Sequence, residues 1–209
     1  LSEVRAYIRE HSNQMVQAYS VADIRAAKKA GKLALAFHFQ ETNPLEGDIN
    51  MVETYYDLGV RHMLMAYNTK NQVGDGCAEA TDAGLSRYGV RVIEEMNRVG
   101  MLVDGAHCGY RTSMEAMEAS TAPFVFSHCL AFGVYRHYRN IRDDQIKACA
   151  KTGGIIGLNG VGQFVEETGA SPEGMFRHID YMANLVGPEH LGLGIDYVKD
   201  TEEALVWLT

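Results

Sequence analysis

From residue 33 onward, short apolar runs alternate with longer amphipathic segments. The runs are Leu33–Phe39, His62–Ala66, Met101–Ala106, Pro123–Ser127, Gly154–Leu158 and Leu191–Ile195. Between them the helical spacing of apolar positions predicts helices near Asp48–Leu58, Ser86–Val99, Thr112–Ala119, Asp143–Lys151 and Pro172–Val186. Continuous apolar strands separated by helices indicate a parallel sheet covered on both faces. Repeated strand–helix units point to a (β/α) barrel or a doubly wound sheet. Ahead of them, Ser20 and Asp23 resemble a helix start with an acid in the first turn, and the helix would run to Ala30 and stop at Gly31. The loop Asn68–Leu85, with Gly74, Gly76 and Gly84, is long for a compact domain, and loops of that kind are often functional.

The residues at the ends of these runs change the picture. The runs end in Gln40, Tyr67, His107, His128, Asn159 and Asp196. Each strand thus delivers a polar or ligand-type side chain to its C-terminal end, and in a (β/α)8 barrel that rim is where active sites are built. Strands also end where water begins, so a single polar residue there carries little. Two histidines and an aspartate together carry more. Neutral imidazole and carboxylate are good zinc ligands, and Asp196 could bind metal, act as a general base or cap a segment starting near Asp200. His38 and Gln40 share a strand face as an HxQ pair. That pair could mimic a metal-binding one, but His38 reads better as a packed core histidine. His62, His137, His178 and His190 lack metal-ligand spacing and read as structural.

Length and composition narrow the classes. A chain of 209 residues suits a single domain over residues 1–209. The formal net charge of −8 gives no support to nucleic-acid binding or to attraction toward anionic membranes. No stretch approaches the roughly 18 consecutive apolar residues of a membrane span, and Leu1–Glu10 does not resemble a signal peptide. Cys77, Cys108, Cys129 and Cys149 form no CxxC pair and read as free thiols in a reducing compartment, so a cytoplasmic location is expected.

VDGAH ending at His107, FSH ending at His128, Arg139-Asn140 and GLGID ending at Asp196 resemble the renal (membrane) dipeptidase family of metallopeptidases, in its bacterial dipeptidase and amidohydrolase branch. The segments DAGLSRYGVRVIEEMNRVGMLVD and TGGIIGLNG look like that family's connecting elements. The resemblance implies a TIM-like (β/α)8 barrel in which zinc-bound hydroxide attacks the peptide carbonyl of a dipeptide. It implies two zinc ions bridged by a carboxylate and a hydroxide. By position, His107 and His128 would ligate one zinc, and Asp196 would serve the other and shuttle a proton to the leaving amine. Arg139 would pair with the substrate carboxylate, with Tyr67 and Asn159 as further substrate-facing residues.

The sequence departs from the family in three places. No HxD ligand pair precedes Gln40, so the chain is expected to be a fragment of an incomplete barrel. Gln40 stands at the position of the bridging glutamate, where a neutral amide bridges two cations poorly. Tyr67 stands where the family has a histidine, and it can donate a hydrogen bond but carries no positive charge. One zinc or none is therefore expected in this chain. The partner is expected to be a small dipeptide or other amide, and a homodimer is left open. Two rival readings are an amidohydrolase acting on another amide and an inactive, ligand-binding barrel.

Overall fold

In a computed structural model, residues 1–196 are described. Helix α1 (Ser2–Glu10) leads into strand β1 (Met15–Gln17), and helix α2 (Val21–Lys29) follows. The Ser20 hydroxyl caps α2 by accepting from the Asp23 amide, as the sequence predicts. The first apolar run is divided at Ala36 into β2 (Leu33–Leu35) and β3 (Phe37–Phe39). β2 pairs in parallel with β1, whereas β3 begins the main sheet. The chain ahead of residue 33 therefore contributes a helix and a strand that the alternation of apolar runs did not foretell, because β1 is only three residues long and half-buried.

The main sheet continues with α3 (Met51–Asp57), β4 (Val60–Leu64), α4 (Arg87–Val99), β5 (Leu102–Asp104), α5 (Tyr110–Ala119) and β6 (Val125–Cys129). It ends with α6 (Asp143–Lys151), β7 (Ile155–Leu158), the short α7 (Gly162–Val165), α8 (Pro172–Val186) and β8 (Leu191–Leu193). The six strands β3 to β8 lie side by side in chain order, every pair parallel. A doubly wound sheet must reverse its strand order at a switch point. This sheet does not, so the architecture is an incomplete TIM-like (β/α) barrel. The segment expected from near Asp200 lies outside the described residues.

Burial follows the sequence pattern. Met63, Leu64, Met65 and Ala66 are fully buried, and so are Phe124, Phe126 and Ile156. Phe124 and Phe126 meet edge to face with centroids 5.3 Å apart. Helix α4 buries Gly89, Val92, Ile93 and Met96, a stripe at three- and four-residue spacing. A Cβ at Gly89 would run into the Val73 carbonyl, so glycine is what lets loop and helix touch. The Ser86 hydroxyl accepts from the Gly89 amide (2.9 Å) and caps the same helix. The long loop is itself packed: Val73, Gly74, Asp75 and Gly76 are all buried.

Candidate metal and substrate site

The two rim histidines are brought together. His107 lies just past β5 and His128 within β6, and their rings meet edge to face with centroids 4.8 Å apart. Both are buried. His107 Nδ1 donates to Asn68 Oδ1 at 2.7 Å. The amide oxygen can only accept, so the proton sits on Nδ1 and Nε2 carries a lone pair. His128 Nδ1 is hydrogen-bonded to the Ser127 hydroxyl at 2.8 Å. The Nε2 atoms of both rings are buried and without a partner. An imidazole held at one nitrogen, with the other bare, is how a metal-ligating histidine is oriented. Burial pushes both pKa values down, and the Arg139 charge acts the same way. Asp196 opposes the shift at His128. The rings are therefore neutral near pH 7, the form that binds metal.

Backbone conformation helps to aim these residues. His107 (φ 64°), Asn68 (φ 56°) and Asp196 (φ 62°) all occupy the left-handed region, which side-chain-bearing residues rarely adopt. The Cys77 amide donates to the His107 carbonyl (2.7 Å) and ties the long loop to the end of β5. Tyr67 stacks on His107, with centroids 4.0 Å apart and planes 24° apart.

Arg139 lies in the loop after β6 and is 3% exposed, yet its Nε and Nη2 have no partner. Its guanidinium sits 5.2 Å from the centre of the Phe164 ring. The loop is fastened by Asn140, whose side-chain nitrogen donates to the carbonyls of Tyr135 (3.0 Å) and Phe164 (2.8 Å). Arg139, His107, Cys77, Cys129, Phe132 and Tyr138 line a cavity of about 420 Å³. A buried cation with free donors beside two bare imidazoles is suited to holding an anionic group at a metal centre. Thiol chemistry is not on offer there, because burial pushes the Cys129 thiol up to about 12 and also raises Cys77.

Asn159 is buried, and its hydrogen bonds go to protein. Its side-chain nitrogen donates to Asp196 Oδ2 (3.2 Å) and the His128 carbonyl (3.5 Å), and its oxygen accepts from the Val161 amide (2.6 Å). Asn159 thus links Asp196 to the β6 rim. Asp196 acts electrostatically on His128, but it does not complete a three-ligand cluster with His107 and His128 among the described residues. Gln40 is exposed one residue past β3 and makes no side-chain hydrogen bond among the described residues.

The sequence pattern did not reveal a second group. His38 on β3, His62 on β4 and Asp104 on β5 are the one set of three metal-ligand-type side chains whose ligand atoms converge within 4.8 Å among the described residues. His38 and His62 stack with centroids 3.8 Å apart. Burial holds the His38 pKa down to about 4, with His62 adding to the effect and Asp104 opposing it. It lowers His62 as well. Neither is a hydrogen-bond-satisfied core histidine, because each Nε2 is buried without a partner. His178 is one: Nδ1 accepts from the Ala131 amide (3.1 Å), and Nε2 donates to the Val165 carbonyl (3.0 Å). The available signal was Asp104, an acid inside the apolar run MLVDGA.

Sheet order and rim thus define a (β/α)-barrel protein carrying paired, metal-ready imidazoles beside a buried guanidinium. Residues 1–206 match the profile of the family described as Membrane dipeptidase (Peptidase family M19), and the chain belongs to that family. An uncharacterised dipeptidase of Schizosaccharomyces pombe is 34% identical over 181 residues, 83% of this chain and 44% of the relative. A dipeptidase of Aspergillus oryzae is 29% identical over 93% of this chain and 48% of its own. The crystal structure of an amidohydrolase from Pseudomonas aeruginosa superposes with a TM-score of 0.94 at 36% identity, covering 100% of this chain and 64% of that one. The chain spans about half the length of the curated relatives it matches.

Proposed function

We propose that this chain forms part of a zinc-dependent hydrolase that cleaves dipeptides, and that His107, His128, Arg139 and Asp196 are its working residues. The observation that carries the reading is the pair of buried, unpartnered Nε2 atoms next to an equally unpartnered Arg139 guanidinium. The imidazole pair fits zinc, and it would hold the ion through Nε2 while Asn68 and Ser127 fix the rings. Zinc bound there supplies Lewis acidity toward a carbonyl oxygen and toward water.

The protein's own groups do the rest. Arg139 takes the substrate carboxylate through Nε and Nη2 and sets the scissile bond over the imidazole pair. Asp196 Oδ2 is engaged by Asn159, which leaves Oδ1 to accept a proton from the attacking water and pass it to the leaving amine. Tyr67, whose pKa burial raises, stays protonated and offers a hydrogen bond to the developing oxyanion. With Gln40 at the position of the family's bridging glutamate, the rim is proposed to hold one zinc ion.

Zinc content by elemental analysis and amino-acid release from a panel of dipeptides test this reading. Asn68→Ala removes the anchor of His107 and is expected to weaken zinc binding about 10- to 100-fold. Hydrolysis unaffected by His107→Ala or by chelation would rule the mechanism out. A second reading, hydrolysis of another amide, is favoured by the likeness to the Pseudomonas aeruginosa protein, which is named an amidohydrolase. It requires turnover of amides that carry no free carboxylate.

A further inference from the structure

Three adjacent strands each place one metal-ligand-type side chain at the same point inside the sheet. Parallel pairing sets His38 of β3 directly opposite His62 of β4, and β5 brings Asp104 alongside. These residues lie within their strands, whereas His107 lies just past β5 and His128 next to the C-terminal end of β6. Asp104 is fully buried and divides its carboxylate between two tasks. Oδ1 accepts from the Ala106 amide (2.9 Å) and the Ser127 amide (3.1 Å), which fixes the side chain. Oδ2 accepts nothing and faces His62 Nε2 at 3.5 Å and His38 Nε2 at 3.7 Å. All three facing atoms are buried without a hydrogen-bond partner.

We infer that His38 Nε2, His62 Nε2 and Asp104 Oδ2 form a second cation site, with ligands distinct from the His107–His128 pair and specific for a zinc-class divalent transition ion. The two separations are too long for N–H···O hydrogen bonds. They come close to the roughly 3.3–3.5 Å that bonds of 2.0–2.2 Å set between ligand atoms in a tetrahedron, and the two rings, stacked 3.8 Å apart at 14°, turn about their side-chain bonds to direct both in-plane lone pairs at one ion. One ion satisfies three orphaned polar atoms at once, and leaving such atoms unpaired is costly. Two imidazoles select against calcium and magnesium, which take oxygen ligands. An ion here ties β3, β4 and β5 together and stabilises the folded chain in proportion to its affinity. None of these ligands belongs to the rim set, so the inference stands apart from the hydrolase reading.

The test uses cobalt(II) added to metal-stripped protein. In a His107→Ala/His128→Ala double variant the rim pair is gone. One equivalent of cobalt(II) with the absorption of a tetrahedral ion is expected to remain. Adding His62→Phe keeps the ring stack and removes a ligand. Affinity should then fall by more than about 100-fold, the upper end of the loss caused by removing a mere outer partner. No cobalt binding in the double variant, or binding undiminished by His62→Phe, overturns the site. If the variants do not fold, zinc-edge anomalous scattering from crystals of the unmodified protein decides. A peak within bonding distance of all three atoms supports the inference, and zinc density confined to His107 and His128 refutes it.

Discussion

A guanidinium with two free donors in a buried wall is a demanding group to leave unpaired, and the proposed function gives Arg139 the substrate carboxylate. Lysine at this position keeps the charge but replaces a planar fork by a point charge. Arg139→Lys is expected to raise KM for dipeptides with a free carboxylate while altering kcat little, as loss of uniform binding does. Steady-state kinetics on free and C-terminally amidated dipeptides check this, and equal losses on both would show that Arg139 has another task. At this scale the sequence showed which side chains stand at the strand ends but not their partners. His107, His128 and Asp196 stood out because each ends an apolar run. Asn68, which fixes the His107 tautomer, sits in a loop 39 residues away in sequence and gave no sign of it.

Between the strands, the loop from Asn68 to Leu85 acts as a brace for the rim. Gly76 forms an isolated antiparallel bridge to Cys108, next to His107. A Cβ at Gly76 would collide with the Asn68 backbone. Gly76→Ala is therefore expected to displace Asn68 and weaken zinc binding at the His107–His128 pair about 10-fold or more. Retained cooperative unfolding would confirm that the fold survives, and isothermal titration with zinc measures the loss. Unchanged affinity would mean that the loop does not position Asn68. Helices at this scale were well marked in the sequence. Asp143–Lys151 and Pro172–Val186 have the predicted bounds, and α5 starts two residues earlier than predicted. Strands were less well bounded: the run from His62 yields β4 at Val60–Leu64, because parallel pairing with β5, not hydrophobicity, sets where a ladder ends. Helix α7, only four residues long, has no room for a periodic signal.

Across the whole molecule, buried histidines couple stability to pH. Burial lowers the pKa of His38 to about 4 and also lowers His62, His107, His128 and His178. Above the ordinary histidine range near 6.5 both folded and unfolded chains are neutral at these positions, and no penalty arises. As pH falls through that range only the unfolded chain takes up protons, so stability drops, and for His38 the drop continues until its folded-state pKa near 4. In the presence of chelator, the urea midpoint is expected to fall between pH 6.5 and pH 4, and His38→Phe to make that fall shallower. A midpoint flat over this interval would contradict neutral burial. The alternation of apolar runs and amphipathic segments was enough to determine a parallel α/β architecture and which polar side chains stand near the strand ends, because burial on both sheet faces writes itself into consecutive apolar residues. Whether the sheet was wound once or twice depended on strand order, which is a matter of neighbours and not of composition. The convergence of His38, His62 and Asp104 was likewise decided by register. Those residues are tens of positions apart in the chain, and only the pairing of β3, β4 and β5 sets their ligand atoms within reach of one ion.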